Sequence, residues 1–403
     1  ELYSWYLQSP EYRILVKKLT EASFSERPSD KIGKTVAKIL YGEISPYSAT
    51  RLERFAACAF AHFLQYGLKV TERAEYEFRA MDMGNVMHMA LEKFAAEVRK
   101  EGLDWAELTE EERNRIIDSC LDQVSADYGN TILKSSARNE YMIERTRRIL
   151  RRTVWALQEQ LKHGAFRPEG FEVRFQGGRI DRVDIMEEPE NNRVYVKVID
   201  YKTGNTSFDL LALYHGLQLQ LMVYLDGALQ VEKRKYPDRE IVPAGVFYYN
   251  VKDPMIQEKI HADMESINEQ MLKKMKMNGL VQADDNMSTK IDSTMASIPV
   301  SLNRDGSFSK RSSVASRKQF DALGAYVRRK ICDIRESILD GNAAVEPYEL
   351  GKKNACTYCP YLTVCGFDRK IPGYEFHRLS SIEEDALWKK IMKGEEENGS
   401  EMD

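Results

Sequence analysis

Apolar positions recur at helical spacing through the first 160 or so residues and alternate only afterwards. EYRILVKKLTEA and KTVAKILYG, within a first stretch ending near Ile44, read as amphipathic helices. SPYSATRLERFAACAFAHFLQYGL sets Ser and Thr ahead of an apolar face, the signature of a helix start. MGNVMHMALEKFAAEV predicts another helix, and a charged helical pattern runs from Trp105 to about His163. Strand-like alternation begins at FEVRFQGGRIDRVDIM and resumes in RVYVKVIDYK. The polar, proline-containing EEPENN between them predicts an antiparallel hairpin. LLALYHGLQLQLMVYLDGAL then predicts one helix and AGVFYYNV a buried strand. Residues 278–318 read as a long, polar, partly mobile insertion, and Arg317 to Leu339 as a helix. The acidic end GEEENGSEMD reads as disordered. This order of elements is that of an α/β chain with a small central sheet flanked by helices.

The hairpin carries the first chemistry. A turn centred between Glu190 and Asn191 pairs Asp181 with Asp200, and directly opposed side chains share a face about 5 Å apart at Cβ. Two carboxylates that close repel each other unless a cation lies between them, and hard oxygen ligands suit Mg²⁺, Mn²⁺ or Ca²⁺. Lys202 follows Asp200 on the same face of the strand. The same register pairs Asp184 with Lys197 on the other face, where an ion pair accounts for both. A one-residue slip would exchange these roles. Two helices add polar groups on single faces, His88 with Glu92 and Gln220 with Tyr224.

With 403 residues, 30% of them charged and 43% hydrophobic, the chain has room for a sizeable core. The net charge of −4 argues against a uniformly basic nucleic-acid coat but leaves room for a local basic groove. No apolar run reaches the roughly 20 residues of a membrane helix, and six cysteines do not make a disulfide scaffold. Together these point to reducing cytoplasm. IGKT resembles the end of a phosphate-binding loop, but Pro28 stands where that loop needs its first glycine, so no ATP motor is read here. The start at Glu1, without a Met, fits a piece of a longer chain.

G-x-x-x-H-x-x-x-E in GNVMHMALE, G-x-x-D in GGRID, D-Y-K in VIDYK and Q-x-x-x-Y in QLMVY follow one another. In that order they resemble the RecB-type nuclease domain of the PD-(D/E)XK nucleases. SPYSATRLERFAACAFAHFLQYGL, IPVSLNRDGSFSKRSSVAS and CTYCPYLTVCGFD extend the likeness to the AddB-type branch, from about Ser45 to Leu379. The resemblance implies a restriction-endonuclease-like core and a metal held by His88, Asp181, Asp200 and the backbone carbonyl of Tyr201. It assigns Lys202 as the catalytic lysine, with Gln220 and Tyr224 holding DNA and lysine in register and Glu172 as a supporting acid. It further implies an exonuclease acting on single-stranded DNA, on the 5′-ended strand, with the AddA helicase–nuclease subunit as partner in double-strand-break repair. Another iron–sulfur RecB-type nuclease, such as one serving CRISPR adaptation, and a DNA-holding module with an idle site are the alternatives. On this reading residues 1–44 are a helical remnant, 45–370 the nuclease domain and 371–403 a tail.

Cys356, Cys359 and Cys365 have C-x2-C-x5-C spacing and Cys58 lies upstream of the nuclease motifs. Four thiolates suit either Zn²⁺ or a [4Fe–4S] cluster. The resemblance implies the cluster, stapling the two ends of the domain together. Cys120 and Cys332, in helical stretches, read as buried. For DNA, Arg145, Arg148 and Arg152 share a helix face, with Arg147 and Arg151 beside it. Arg51, Arg54, Lys310 and Arg311 add positive charge, and such residues would make sequence-independent phosphate contacts. The alternative for the arginine helix is a solvated charged face.

Overall fold

Both alternate sets of side chains in RVYVKVIDYK are apolar enough to need covering, so this segment calls for a layer on each face. The computed structural model describes residues 2–23, 31–42, 48–73, 80–128, 136–256, 263–371 and 373–399, and it sets that segment inside a six-stranded mixed sheet. The helices α1 (Leu2–Gln8), α2 (Arg13–Ser23) and α3 (Lys34–Tyr41) precede α4 (Ala49–Ala57) and α5 (Ala59–His62). Three long helices follow, α6 (Ala80–Lys100), α7 (Glu110–Asp127) and α8 (Ala137–Lys162). A capping box between Thr109 and Glu112 fixes the start of α7.

The strands β1 (Arg167–Phe175), β2 (Gly178–Glu188) and β3 (Arg193–Lys202) form an antiparallel meander. The chain then crosses through α9 (Leu210–Tyr214) and α10 (Gln220–Lys235) to β4 (Glu240–Asn250), which runs parallel to β3. A parallel neighbour requires such a crossover. After α11 (Met264–Lys274), β5 (Asn278–Gln282) pairs antiparallel with β4. Beyond α12 (Met287–Ile291), β6 (Val314–Ala315) closes the sheet parallel to β5. Val194, Val196 and Val198 face a core built with α4, α10, α13 (Arg317–Leu339) and the last helix. Tyr195, Ile199 and Tyr201 face the core built with α6, α7 and α8. The hairpin register is the one its turn implies, with Asp184 opposite Lys197. A small sheet of β7 (Tyr348–Leu350), β8 (Lys353–Asn354) and β9 (His377–Arg378) carries the cysteine-rich lobe with α14 (Leu362–Cys365), and α15 (Glu384–Gly399) packs back on α13.

The structure departs from the sequence reading in four places. The helix expected over residues 210–229 is two helices, because Gly216 takes φ +79 and turns the chain between α9 and α10. The supposed insertion at 278–318 supplies two strands of the central sheet, and its loop is tied down where buried Asp292 accepts from the Ser297 backbone and hydroxyl. Cys120 is buried but Cys332 is exposed, since it lies on the outer side of α13. The acidic end stays helical to Gly399, and residues 400–403, like the expected boundary at 44/45, lie outside the described residues. No helix among the described residues is long and apolar enough to cross a membrane.

Candidate active site

Three adjacent strands and one helix converge at the carboxyl end of β3. The pairs Phe171↔Arg182 and Val173↔Ile180 set Glu172 opposite Asp181, and the step beyond Arg182↔Ile199 brings Asp181 opposite Asp200. Irregular pairing between Pro168 and Gly170 precedes Glu172, which sits at φ 50, a conformation non-glycine residues rarely adopt. From the opposite layer α6 brings His88. Gly84, one turn earlier on the same face, permits this approach, because a Cβ there would meet Thr203 Oγ1 at 3.1 Å. His88, Glu172 and Asp181 each offer a ligand atom, all within 4.8 Å of one another. His88 Nδ1 lies 3.4 Å from Asp181 Oδ2, which also accepts the Tyr201 N–H at 2.7 Å.

Asp200 belongs to a second, adjoining group. Its carboxylate meets the Lys202 amine at 2.7 Å and accepts from Gln220 Nε2 at 3.1 Å, while Glu172 lies with His88 and Asp181. Gln220 is the hub of this second group. Its Oε1 accepts from Lys202 Nζ at 2.7 Å and its Nε2 donates to Tyr224 Oη at 2.9 Å. The break at Gly216 starts α10 at Gln220, so the glutamine projects from a first turn toward the strand end. Glu53, from α4, accepts the backbone N–H groups of Leu219 and Gln220 at 2.6 and 2.9 Å. Arg179 reaches Glu172 from the solvent side.

The electrostatics mark this corner as short of positive charge. Burial and neighbouring Asp200 hold the Asp181 carboxyl well above the usual range, and burial raises Asp200 despite Lys202. Burial also raises Glu172. Desolvation, with the nearby Lys202 charge, lowers the His88 imidazole below its ordinary value and favours the neutral form that ligates metals. Tyr224 is pushed up to about 12 by burial. Three carboxylates and a neutral imidazole, crowded together with only Lys202 and Arg179 to oppose them, form a donor set that fits a hard divalent cation. The Tyr201 backbone lies against the His88 ring, so its carbonyl is within the same corner.

The four expected cysteines are gathered. Cys58, Cys356, Cys359 and Cys365 line one small cavity with Phe60, Tyr361 and Leu362. Burial raises the thiols of Cys58 and Cys356, the latter to about 11, and each is raised further by two or more of the other cysteines. Four cysteines lining one cavity are a donor set that fits a metal ion or a cluster.

The arginines are less uniform than their sequence suggested. Arg51 donates to His62 and lies over the rings of Tyr41 and Tyr66, while Arg54 lies over Tyr361, so both rest partly buried on aromatic faces. Arg148 and Arg152 share Asp253, and Arg147 and Arg151 pair with Asp118. Arg145, Lys310 and Arg311 are exposed. Sequence reasoning missed Glu53 and Arg179, whose parts depend on tertiary contacts, and gave Glu172 a smaller role than its position does.

A model of the PD-(D/E)XK nuclease superfamily matches residues 46–366. The chain is 40% identical to an ATP-dependent helicase/deoxyribonuclease subunit from Lachnoclostridium phytofermentans, over 98% of its own length and 36% of that protein's. It is 35% identical to the subunit of the same name from Alkaliphilus metalliredigens, with the same coverage. For a Thermoanaerobacter species the identity is 34%, over 100% of this chain and 37% of the relative. The chain thus spans little more than a third of the length of these relatives.

Proposed function

Because the chain belongs to the PD-(D/E)XK nuclease superfamily, we propose that it is the nuclease domain of an AddB-type subunit, hydrolysing phosphodiester bonds of DNA with a divalent metal. The observation that carries this reading is the junction of two groups at one strand end. His88, Glu172 and Asp181 form a donor cluster, and Lys202 stands beside it, held by Asp200 and Gln220. His88, Asp181 and Glu172, with Asp200 and the Tyr201 carbonyl completing the set, would hold Mg²⁺ or Mn²⁺. When bound, the ion supplies Lewis acidity toward a phosphoryl oxygen.

The chain's own residues do the rest. Lys202 presents a compact cation to the charge that develops on the phosphoryl group, and Gln220 fixes the amine from one side. Tyr224 steadies Gln220 in turn. The substrate is single-stranded DNA, the 5′-ended strand, delivered during double-strand-break processing by a motor in the AddA partner subunit. Exposed Arg145, Lys310 and Arg311 would make the phosphate contacts. The cysteine quartet would hold a [4Fe–4S] cluster rather than zinc, closing a loop from Cys58 to Cys365 around the catalytic core.

Asp200→Ala tests the reading. The variant is expected to lose Mg²⁺-dependent release of nucleotides from labelled single strands while still binding them. Undiminished cleavage by the variant would refute it. Iron and acid-labile sulfide are expected at cluster stoichiometry in anaerobically purified protein, and zinc without iron would overturn the cluster assignment.

A further inference from the structure

Glu53 lies in neither the donor cluster nor the cysteine lobe, yet it touches the machinery of one and shares a helix with the other. The first N–H groups of any α-helix lack intrahelical partners, and α10 has no capping side chain of its own at Leu219. Glu53 Oε1 fills that role from another helix, accepting from Leu219 and Gln220 at 2.6 and 2.9 Å across 166 and 167 residues of sequence. A carboxylate at a helix N-terminus also meets the positive end of the helix dipole. The residue so fixed, Gln220, is the one that holds both the Lys202 amine and Asp200. At its other end α4 runs into Cys58, while Arg54 of the same helix lies over the ring of Tyr361 in the cysteine lobe. Five residues of helix, about 7.5 Å, separate Glu53 from Cys58.

We infer that Glu53 is a positioning residue for the cleavage reaction: it caps α10 from α4, fixes Gln220 and through it the Lys202 amine, and so ties the catalytic end of the sheet to the helix leading into Cys58. The inference rests on the nuclease reading above. Burial pushes the Glu53 carboxyl up to about 7, and capping survives protonation, since one oxygen still accepts both N–H groups. The role is therefore one of reach and acceptor geometry rather than proton transfer.

Three variants of the full chain separate these roles. Glu53→Ala removes the acceptor, and Glu53→Asp keeps the charge but shortens the reach by one methylene. Both are expected to lower kcat on single-stranded DNA by about 10- to 100-fold, the scale of a misplacement near 1 Å. KM and DNA affinity without divalent metal should stay within about twofold. Glu53→Gln keeps an acceptor oxygen at full reach and is expected to recover kcat to within about threefold, with the pH profile unmoved. Hydrogen exchange at the Leu219 and Gln220 amides should accelerate in the Ala and Asp variants and remain slow in the Gln variant. Wild-type kcat in Glu53→Ala would overturn the inference. So would a Gln variant as impaired as the Ala variant with a shifted pH optimum, which would make Glu53 a proton carrier. An Ala variant that loses its iron or zinc and its thermal stability together would overturn it as well, by reducing Glu53 to a fold residue. Asp200→Ala run alongside keeps the two failures apart, since its retained activity would refute the nuclease reading itself.

Discussion

Asp181 and Asp184 lie three residues apart on β2, and the protein treats their charges in opposite ways. Asp184 is fully buried, yet Arg182 meets it at 2.6 and 3.0 Å and Lys197 at 3.0 Å, which together hold its carboxyl below the ordinary range. Those cations are themselves seated on aromatic rings, Arg182 over Trp105 and Lys197 over Phe166. Asp181 has His88 at 3.4 Å, a second acid opposite and a third close by, and its carboxyl is held well above the ordinary range. The difference is informative because both are withdrawn from solvent, Asp184 wholly and Asp181 largely. A buried acid with its counter-charges built in is structural, whereas one left without them is prepared for a cation from outside.

Neutralising each acid in turn puts this contrast at greatest risk. Asp181→Asn is expected to reduce cleavage by about a thousandfold or more while leaving the fold intact, since the amide oxygen can still accept the Tyr201 N–H. A quantitative digest of labelled single strands measures it. Asp184→Ala should do the converse, costing about 3–5 kcal/mol of stability by leaving Arg182 and Lys197 buried without their anion. Denaturant unfolding reads that loss directly. A variant at Asp184 that is as stable as the parent would remove one side of the contrast.

Smaller effects follow from pH. Asp181, with its folded value raised, contributes stability that is present below the ordinary aspartate value and is lost as pH rises through the raised one. Asp184, with its folded value lowered, contributes stability that is present above the ordinary value and is lost as pH falls through the lowered one. In metal-free protein, Asp181→Asn should therefore gain most over the parent at neutral pH and least in acid, by thermal melting at both. Glu53→Gln should show the same sign, its advantage growing between the ordinary glutamate value and about 7. A gain confined to acid would contradict both.

Much of the contrast was legible in the sequence because it depends on local pairing. A proline-containing turn fixes the register of the β2–β3 hairpin, and the Asp184–Lys197 pair follows from counting. Gly84 and His88, four apart, share the face of α6 that approaches the strand end. What could not be read depends on backbone irregularity or on distant partners. Glu172 reaches the cluster from a strand with a pairing irregularity and an uncommon φ, and neither leaves a periodic trace. The break at Gly216 is invisible inside an apolar run, although it decides that Gln220 begins a helix. Glu53 meets its partners across more than 160 residues, so nothing in RLERFAAC announces them. The polar 278–318 segment misled because β5 and β6 are short and its loop is held by side-chain-to-backbone bonds rather than by apolar periodicity.

The most direct test is a calorimetric titration of Mn²⁺ into metal-stripped protein near neutral pH, without DNA, comparing the parent with Asp181→Asn. Saturable binding at this corner in the parent and its loss in the folded variant is the predicted result. Equal affinity in the two proteins would mean that the uncompensated acid is not where the cation goes, and the account would fail.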